Sequence, residues 1–303
     1  MAQLHWTNMT TSFGHLPASV QVFKTTDTLS DGKPNISWYL VADLKDKNLL
    51  FTVDTSLNRR LTPQQYYDRN KQPLAVMNTT FFSFATHQNL NTVIKEGKLV
   101  GYNIHALAGK GKDTLTYRHP FTGALGITKK RKADIAWIYT DSSQRYAYAS
   151  QRAVPAFKDS SSSLAARFNK SKKATGHHFA KWKMQTAVGG GPVLVQNGKV
   201  QISNNEELKF AGKAIDDKHP RTAMGYTADG KLVLLVVEGR NPGIAEGASL
   251  SQLALMLQAI GCTEALNVDG GGSSCLLVNG KETIAPSDKQ QRAVPAVFII
   301  QQK

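Results

Sequence analysis

The segment 223–237, A-M-G-Y-T-A-D-G-K-L-V-L-L-V-V, constrains the fold more than any other stretch of the chain. Two runs of β-formers flank Ala228-Asp229-Gly230, residues suited to a tight turn, so the segment reads as one long hairpin. Because the turn lies almost midway, the two ends return to the same edge of a sheet. His219-Pro220-Arg221-Thr222 and Val236-Val237-Glu238-Gly239-Arg240 then become neighbours, with an acid between two arginines.

Other segments repeat the pattern. Residues 36–44 and 49–53 are β-rich and joined by Lys45-Asp46-Lys47-Asn48, which predicts a second hairpin. Strands are expected at 74–78, 121–128 and 134–140, with hairpin turns at Gln196-Asn197-Gly198-Lys199 and Asn279-Gly280. Helices are few. Thr62 and Pro63 open a short one over 64–69. One clear amphipathic helix lies near 249–260, where Ser249 and Gln252 form a capping box. Leu250, Leu253, Ala254, Leu257 and Ile260 share a face, and Gly261 ends the helix. The expectation is an α+β fold with strand-rich mixed sheets. Residues 1–74 read as the N-terminal part of the same fold as 75–303. A Lys/Ser-rich stretch at about 158–183 reads as a surface insertion or lid.

Composition excludes several classes. Of 303 residues, 41% are hydrophobic and 19% charged, which describes a packed globular chain and not a disordered one. No apolar run approaches the roughly 20 residues of a membrane helix. A net charge of +15 favours polyanionic partners, and basic residues are not interleaved with aromatics as in a nucleic-acid reader, so no nucleic acid is expected. Cys262 and Cys275 are too few for a disulfide framework, although one bridge between them stays open. His105 and His177-His178 lack companion acids at metal-ligand spacing, and Ser143 and Ser163 lack a nucleophile-elbow context. The sequence Gln-Arg-Ala-Val-Pro-Ala occurs twice, at 151–156 and 291–296. It marks either two equivalent edge strands each delivering an arginine or a coincidence.

The chemistry concentrates at N-V-D-G-G-G-S-S-C, residues 267–275. Asp269 ends a short apolar strand. Gly270, Gly271 and Gly272 remove the side chains beside it, so a ligand can approach main-chain N–H groups, and Ser273 and Ser274 add hydroxyls. Arg221 and Arg240 offer planar forks for phosphate or carboxylate. Glu238 is a second candidate acid. Asn78 at a strand end is placed to orient a substrate hydroxyl, and His219 and Thr222 flank Arg221. A further cluster, Gly189-Gly190-Gly191-Pro192, is neither a P-loop nor a dinucleotide fingerprint, and suggests close backbone packing.

Several segments together resemble the phosphodiester glycosidase family. They are A-V-M-N-T-T-F-F at 75–82, G-G-G-P-V-L-V-Q-N-G-K at 189–199, H-P-R-T-A-M-G at 219–225 and L-L-V-V-E-G-R at 234–240. A-L-N-V-D-G-G-G-S-S at 265–274 and R-A-V-P-A at 292–296 complete the series. Glu238 stands where the family often has Asp, and the insertion has no counterpart in the family pattern. The resemblance implies a hydrolase, N-acetylglucosaminidase-like, that cleaves the glycosidic bond of a sugar-1-phosphate diester. Free sugar and a phosphomonoester would be released. Asp269 and Glu238 would be its catalytic acids. Arg221, Arg240, Asn78, Thr222, His219 and the Gly270 to Ser274 loop would hold the phosphate. No cofactor is certain, and a divalent metal bridging Asp269 and phosphate is left open. The alternatives are a non-catalytic module binding anionic envelope polysaccharide and a phosphodiesterase cutting the P–O bond. An exported location, periplasmic or extracellular with the signal absent from this chain, is expected, with the cytoplasm as the alternative.

Overall fold

A hairpin of Arg221–Thr227 and Lys231–Val237 stands in the middle of the largest sheet, as the Asp-Gly turn predicts. The computed structural model describes residues 4–161, 168, 173–174 and 176–303. Eight strands form that sheet, in the order Thr7–Asn8, Val20–Thr25, Ser37–Asp43, Lys231–Val237, Arg221–Thr227, Cys262–Asn267, Val193–Gln196 and Lys199–Val200. A five-stranded sheet runs Lys281–Glu282, Leu276–Val278, Ala75–Asn78, Ala296–Gln302 and Leu49–Thr55. The hairpin of Thr122–Ile127 and Ala133–Tyr139 belongs to a third, seven-stranded sheet. Among the described residues every ladder is antiparallel, so the strand-rich expectation holds while the sheets are not mixed in strand direction.

Period-two alternation explains the layering. Along Lys231–Val237, Leu232, Leu234 and Val236 enter the core shared with the other sheets, while Val233, Leu235 and Val237 face the helix Leu250–Ile260. Along Ala296–Gln302, Ala296, Phe298 and Ile300 point into that shared core, and Val297 and Ile299 meet Tyr66 of the helix Pro63–Arg69. Both strands are buried on both faces, which is why they read as nearly continuous apolar runs. Both helices expected from the sequence are capped: Ser249 forms the predicted capping box with Gln252, and Thr62, read as a cap, forms one with Gln65. Gly261, at φ 98°, supplies the left-handed residue that stops the longer helix. No helix among the described residues is long and apolar enough to cross a membrane.

The hairpin expected from 36–44 and 49–53 does not form. Ser37–Asp43 pairs with Val20–Thr25 and Lys231–Val237, whereas Leu49–Thr55 pairs with Ala296–Gln302 in a different sheet. Lys45-Asp46-Lys47-Asn48 is therefore a corner between sheets. Its free carbonyls are collected by Arg131, which donates to Leu44 O at 2.5 Å, Asp46 O at 2.5 Å and Leu49 O at 2.8 Å. A long-range side chain supplies the bonds that a hairpin would have supplied locally.

Cys262 and Cys275 are separate buried thiols, unbridged. Part of the 158–183 insertion, Ser163 included, lies outside the described residues; within it Phe168 and Phe179 are buried, with Phe168 stacked on Tyr139 at 3.7 Å. His105 is a half-buried structural histidine: desolvation pushes its imidazole down to about 4, and Nδ1 lies 3.2 Å from Pro120 O.

Candidate active site

The loop after Cys262–Asn267 is clamped where strand ends of two sheets meet. From the eight-stranded sheet, Thr222 O accepts from Val268 N at 3.0 Å. From the five-stranded sheet and the chain that follows it, Thr79 O accepts from Asp269 N at 2.7 Å, and Asn78 Nδ2 donates to Asp269 O at 2.6 Å. Asn78 Oδ1 also accepts from Cys275 N at 3.0 Å and lies 3.0 Å from Thr222 Oγ1, which in turn lies 3.1 Å from Ser274 Oγ. Asn78, Thr222 and Ser274 are thus buried braces for the loop, and none presents its side chain as a substrate ligand.

What packs on the three glycines constrains them unequally: backbone at Gly270, a left-handed φ at Gly271, and movable side-chain ends at Gly272. A Cβ at Gly270 would lie 2.8 Å from Pro220 O. At Gly271, with φ +60°, it would lie 2.9 Å from Arg240 Nη2, and at Gly272 it would lie 2.1 Å from both Arg292 Nη2 and Asp288 Oδ2. The loop's amides are mostly spent within the protein, because Gly271–Ser273 is a 3-10 turn. Gly271 N donates to Pro220 O, Ser273 N to Gly270 O and Ser274 N to Gly271 O. The amide cradle read from the sequence is accordingly replaced by arginine side chains laid across a bare backbone. The other glycine cluster packs as expected: a Cβ at Gly190 would meet Asn267 O at 2.4 Å, and one at Gly191 would meet Glu207 Oε2 at 2.3 Å.

Asp269 sits among cations. Burial pushes its carboxyl up to about 6, opposed by the Ser273 hydroxyl and by the charges of Lys209 and Arg292. Burial pushes the Lys209 amine down to about 8 against the pull of Glu207 and Asp269, and Nζ rests 3.5 Å from the Phe81 ring centroid. Phe81 meets Phe210 at 6.2 Å, and the Arg221 guanidinium lies 5.9 Å from the Phe210 centroid, so cations and rings alternate along this wall. Arg292 donates to Asp288 Oδ2 at 3.0 and 2.6 Å and to Ser273 Oγ at 3.4 Å.

Each predicted cation has a distinct setting. Arg221 is buried and donates to Ala248 O at 2.8 Å and Asp217 O at 2.7 Å, and its Nη1 has no hydrogen bond among the described residues. Burial first, and Arg240 next, push its guanidinium down to about 10, against Asp217; it stays charged at neutral pH. Arg240, more exposed, has φ 62°, a left-handed conformation that a non-glycine residue adopts at a cost, and lies 3.8 Å from Asp288. His219 Nδ1 is buried, with no hydrogen-bond partner among the described residues. Burial and the two arginines push its imidazole below the ordinary range, so it stands neutral beside them. Glu238 does not sit between the arginines. Its Oε2 accepts from Ala285 N at 3.0 Å, and among the described residues it pairs with neither Arg221 nor Arg240.

A divalent ion is poorly matched to this setting. Among the described residues no group of three or more His, Cys, Asp and Glu side chains could hold one. Asp269 is ringed by cations, the reverse of the oxygen-rich shell that a hard cation requires.

Comparison with known proteins gives the family and the fold. The family model for phosphodiester glycosidases matches residues 71–301. The chain belongs to the phosphodiester glycosidase family. Among relatives, a Bacillus subtilis (strain 168) protein, SPbeta prophage-derived uncharacterized protein YomE, is 40% identical over 77 residues, covering 25% of this chain and 12% of the relative. The bovine (Bos taurus) N-acetylglucosamine-1-phosphodiester alpha-N-acetylglucosaminidase is 33% identical over 106 residues, covering 32% of this chain and 20% of the relative. The matches thus span a fifth or less of those relatives. In structure, the zebrafish N-acetylglucosamine-1-phosphodiester alpha-N-acetylglucosaminidase catalytic domain, auto-inhibited by its pro-peptide, aligns with a TM-score of 0.64 at 20% identity. That alignment covers 96% of this chain and 85% of that one, and establishes a shared fold.

Within this phosphodiester glycosidase domain, three residues at the site escaped the sequence reading: Lys209, Arg292 and Asp288. Arg292 had a signal, since it lies in the repeated Gln-Arg-Ala-Val-Pro-Ala. Its counterpart Arg152 lies in a bend after Ala147–Ser150, and the two copies are not equivalent. Lys209, in Glu-Glu-Leu-Lys-Phe, carried no local signal. It reaches the site because Leu208, at φ 50°, turns the chain sharply after the short helix Asn204–Glu207.

Proposed function

We propose that the protein hydrolyses the C1–O bond of a sugar-1-phosphate diester, an N-acetylglucosamine-type phosphodiester being the first substrate class to test. The observation that carries this reading is Asp269: one carboxylate, raised to about 6, held on a clamped backbone and surrounded by Lys209, Arg292 and the Arg240 that covers Gly271. A phosphodiester brings its own negative charge to such a site, and the cations stabilise the phosphate as the bond electrons pass to its oxygen. That leaving group needs little protonation. The remaining demand is for a base, so Asp269 takes a proton from the water that attacks C1. Arg240 and Lys209 are the phosphate-facing cations. Arg221, tied to two carbonyls, contributes Nη1. Glu238 acts as a positioning residue that fixes Ala285 and the chain leading to Asp288.

The test is product analysis on a panel of sugar-1-phosphate diesters. Free sugar plus phosphomonoester is expected, with a loss of about 10² to 10⁴ in kcat for Asp269→Ala. Sugar phosphate as the product would replace this reading by P–O cleavage. Binding of anionic glycan that is insensitive to Asp269→Asn, with no turnover, would replace it by a non-catalytic module.

A further inference from the structure

We propose that the cleft on the far side of Arg292 is a second anion subsite, built for a negatively charged group on the aglycone of the substrate. This rests on the reading that phosphodiester cleavage occurs at Asp269. The cleft has a volume of about 340 Å³ and is lined by Arg60, Thr62, Asp288, Gln291 and Arg292 among others. Arg292 is the shared wall: Nη1 touches Ser273 of the catalytic loop at 3.4 Å, while the side chain also lines the cleft.

Arg60 is the distinctive group. Among the described residues it has no carboxylate partner and no side-chain hydrogen bond, yet its position is set, with the guanidinium 5.3 Å from the Phe82 ring centroid and 5.2 Å from that of Phe84. Stacking on rings orients a guanidinium and leaves its N–H edge free, which is the arrangement suited to fork-like binding of phosphate or carboxylate. Arg292 lies 5.5 Å from the same Phe84, so both guanidinium groups pack on this ring. The acid in the cleft, Asp288, is already bonded by Arg292 and paired with Arg240, and so does not neutralise Arg60. Phe84, which stacks with both arginines beside the cleft, is itself 61% exposed. It offers an apolar face to the sugar or linker between the scissile phosphate and the next charge.

Water-filled surface clefts with arginines are common, and cation–π stacking alone stabilises Arg60 to some degree. What separates a subsite from such a cleft is selectivity. The experiment compares two defined diesters with the same sugar-1-phosphate: one with a neutral alkyl aglycone, the other with that aglycone ending in a phosphate. Wild type should prefer the second by about 10- to 100-fold in kcat/KM, mainly through KM. Arg60→Ala should abolish the preference while leaving the neutral diester within about twofold, and Arg60→Lys should restore only part of it. Phe84→Ala should weaken the preference less than Arg60→Ala. Equal rates for both diesters in wild type, or an equal loss on both in Arg60→Ala, would overturn the subsite. If wild type cleaves neither diester, the catalytic reading fails and the cleft is read separately by calorimetry with the phosphate-terminated aglycone alone. Arg60-dependent binding then supports the subsite, and absent or Arg60-independent binding overturns it.

Discussion

Burial raises the Asp269 carboxyl to about 6 and lowers the Lys209 amine to about 8, so carboxylate and ammonium coexist beside each other only between those values. If the first must accept a proton and the second must bind phosphate, kcat/KM rises with pH through about 6 and falls through about 8. Lys209→Gln should remove the alkaline limb and leave the acid limb in place. The raised Asp269 value also bears on stability. A carboxyl whose folded value exceeds its unfolded one stabilises the fold below its ordinary value, and that contribution is lost as pH rises from about 4 through 6. At pH 7 Asp269→Asn should therefore unfold at higher temperature than wild type, by on the order of 1 kcal/mol once partial exposure is allowed for, while losing activity. Glu238→Gln keeps an oxygen for Ala285 N and should retain activity within about tenfold; a loss as deep as that of Asp269→Ala would make Glu238 a catalytic acid. Asp269, Arg221 and Arg240 were legible because acid, arginine and glycine cluster at strand ends in the sequence. Lys209 was not, because its proximity depends on a left-handed residue at 208 and on packing against Phe81, neither of which has a sequence signature.

At the level of elements, the short helix Asn204–Glu207 carries more than its length suggests. The Glu207 carboxylate accepts from Gly123 N at 2.9 Å, Val193 N at 2.9 Å, Ser203 Oγ at 2.6 Å and Trp137 Nε1 at 3.1 Å. It joins the eight- and seven-stranded sheets next to Gly191, and burial raises its carboxyl above the ordinary range. Removing it strands four buried donors, so Glu207→Ala should cost about 3 to 5 kcal/mol in chemical denaturation. Ser249→Ala, which removes one cap, should cost about 1 kcal/mol and spare kcat. The hairpins turning at Asp229-Gly230 and Asn279-Gly280 were legible from two turn residues each. The corner at 45–48 was not: its residues suit a turn equally well, and Arg131, distant in sequence, decides the outcome.

For the whole molecule, the excess of 37 basic over 22 acidic residues sets the long-range field, while the site's own cations set the local one. Raising salt from 50 to 500 mM should raise KM for a polyanionic diester several-fold more than for a singly charged one, because screening acts on the long-range part. Sheet membership, the least legible feature, is a matter of which distant strands meet. Leu49–Thr55 finds its partner in Ala296–Gln302, which also pairs with Ala75–Asn78, the strand whose end braces the Asp269 loop. During synthesis, then, the strand that completes this sheet emerges after both of its neighbours, Leu49–Thr55 and Ala75–Asn78. Until it docks, Thr55 and Asn78 flank an open slot with unpaired edges on both sides, and the loop bearing Asp269 lacks a firm floor. The Asp269 site cannot assemble for as long as that slot stays open, and the slot is where a chaperone, or another copy of the same strand, would engage the chain.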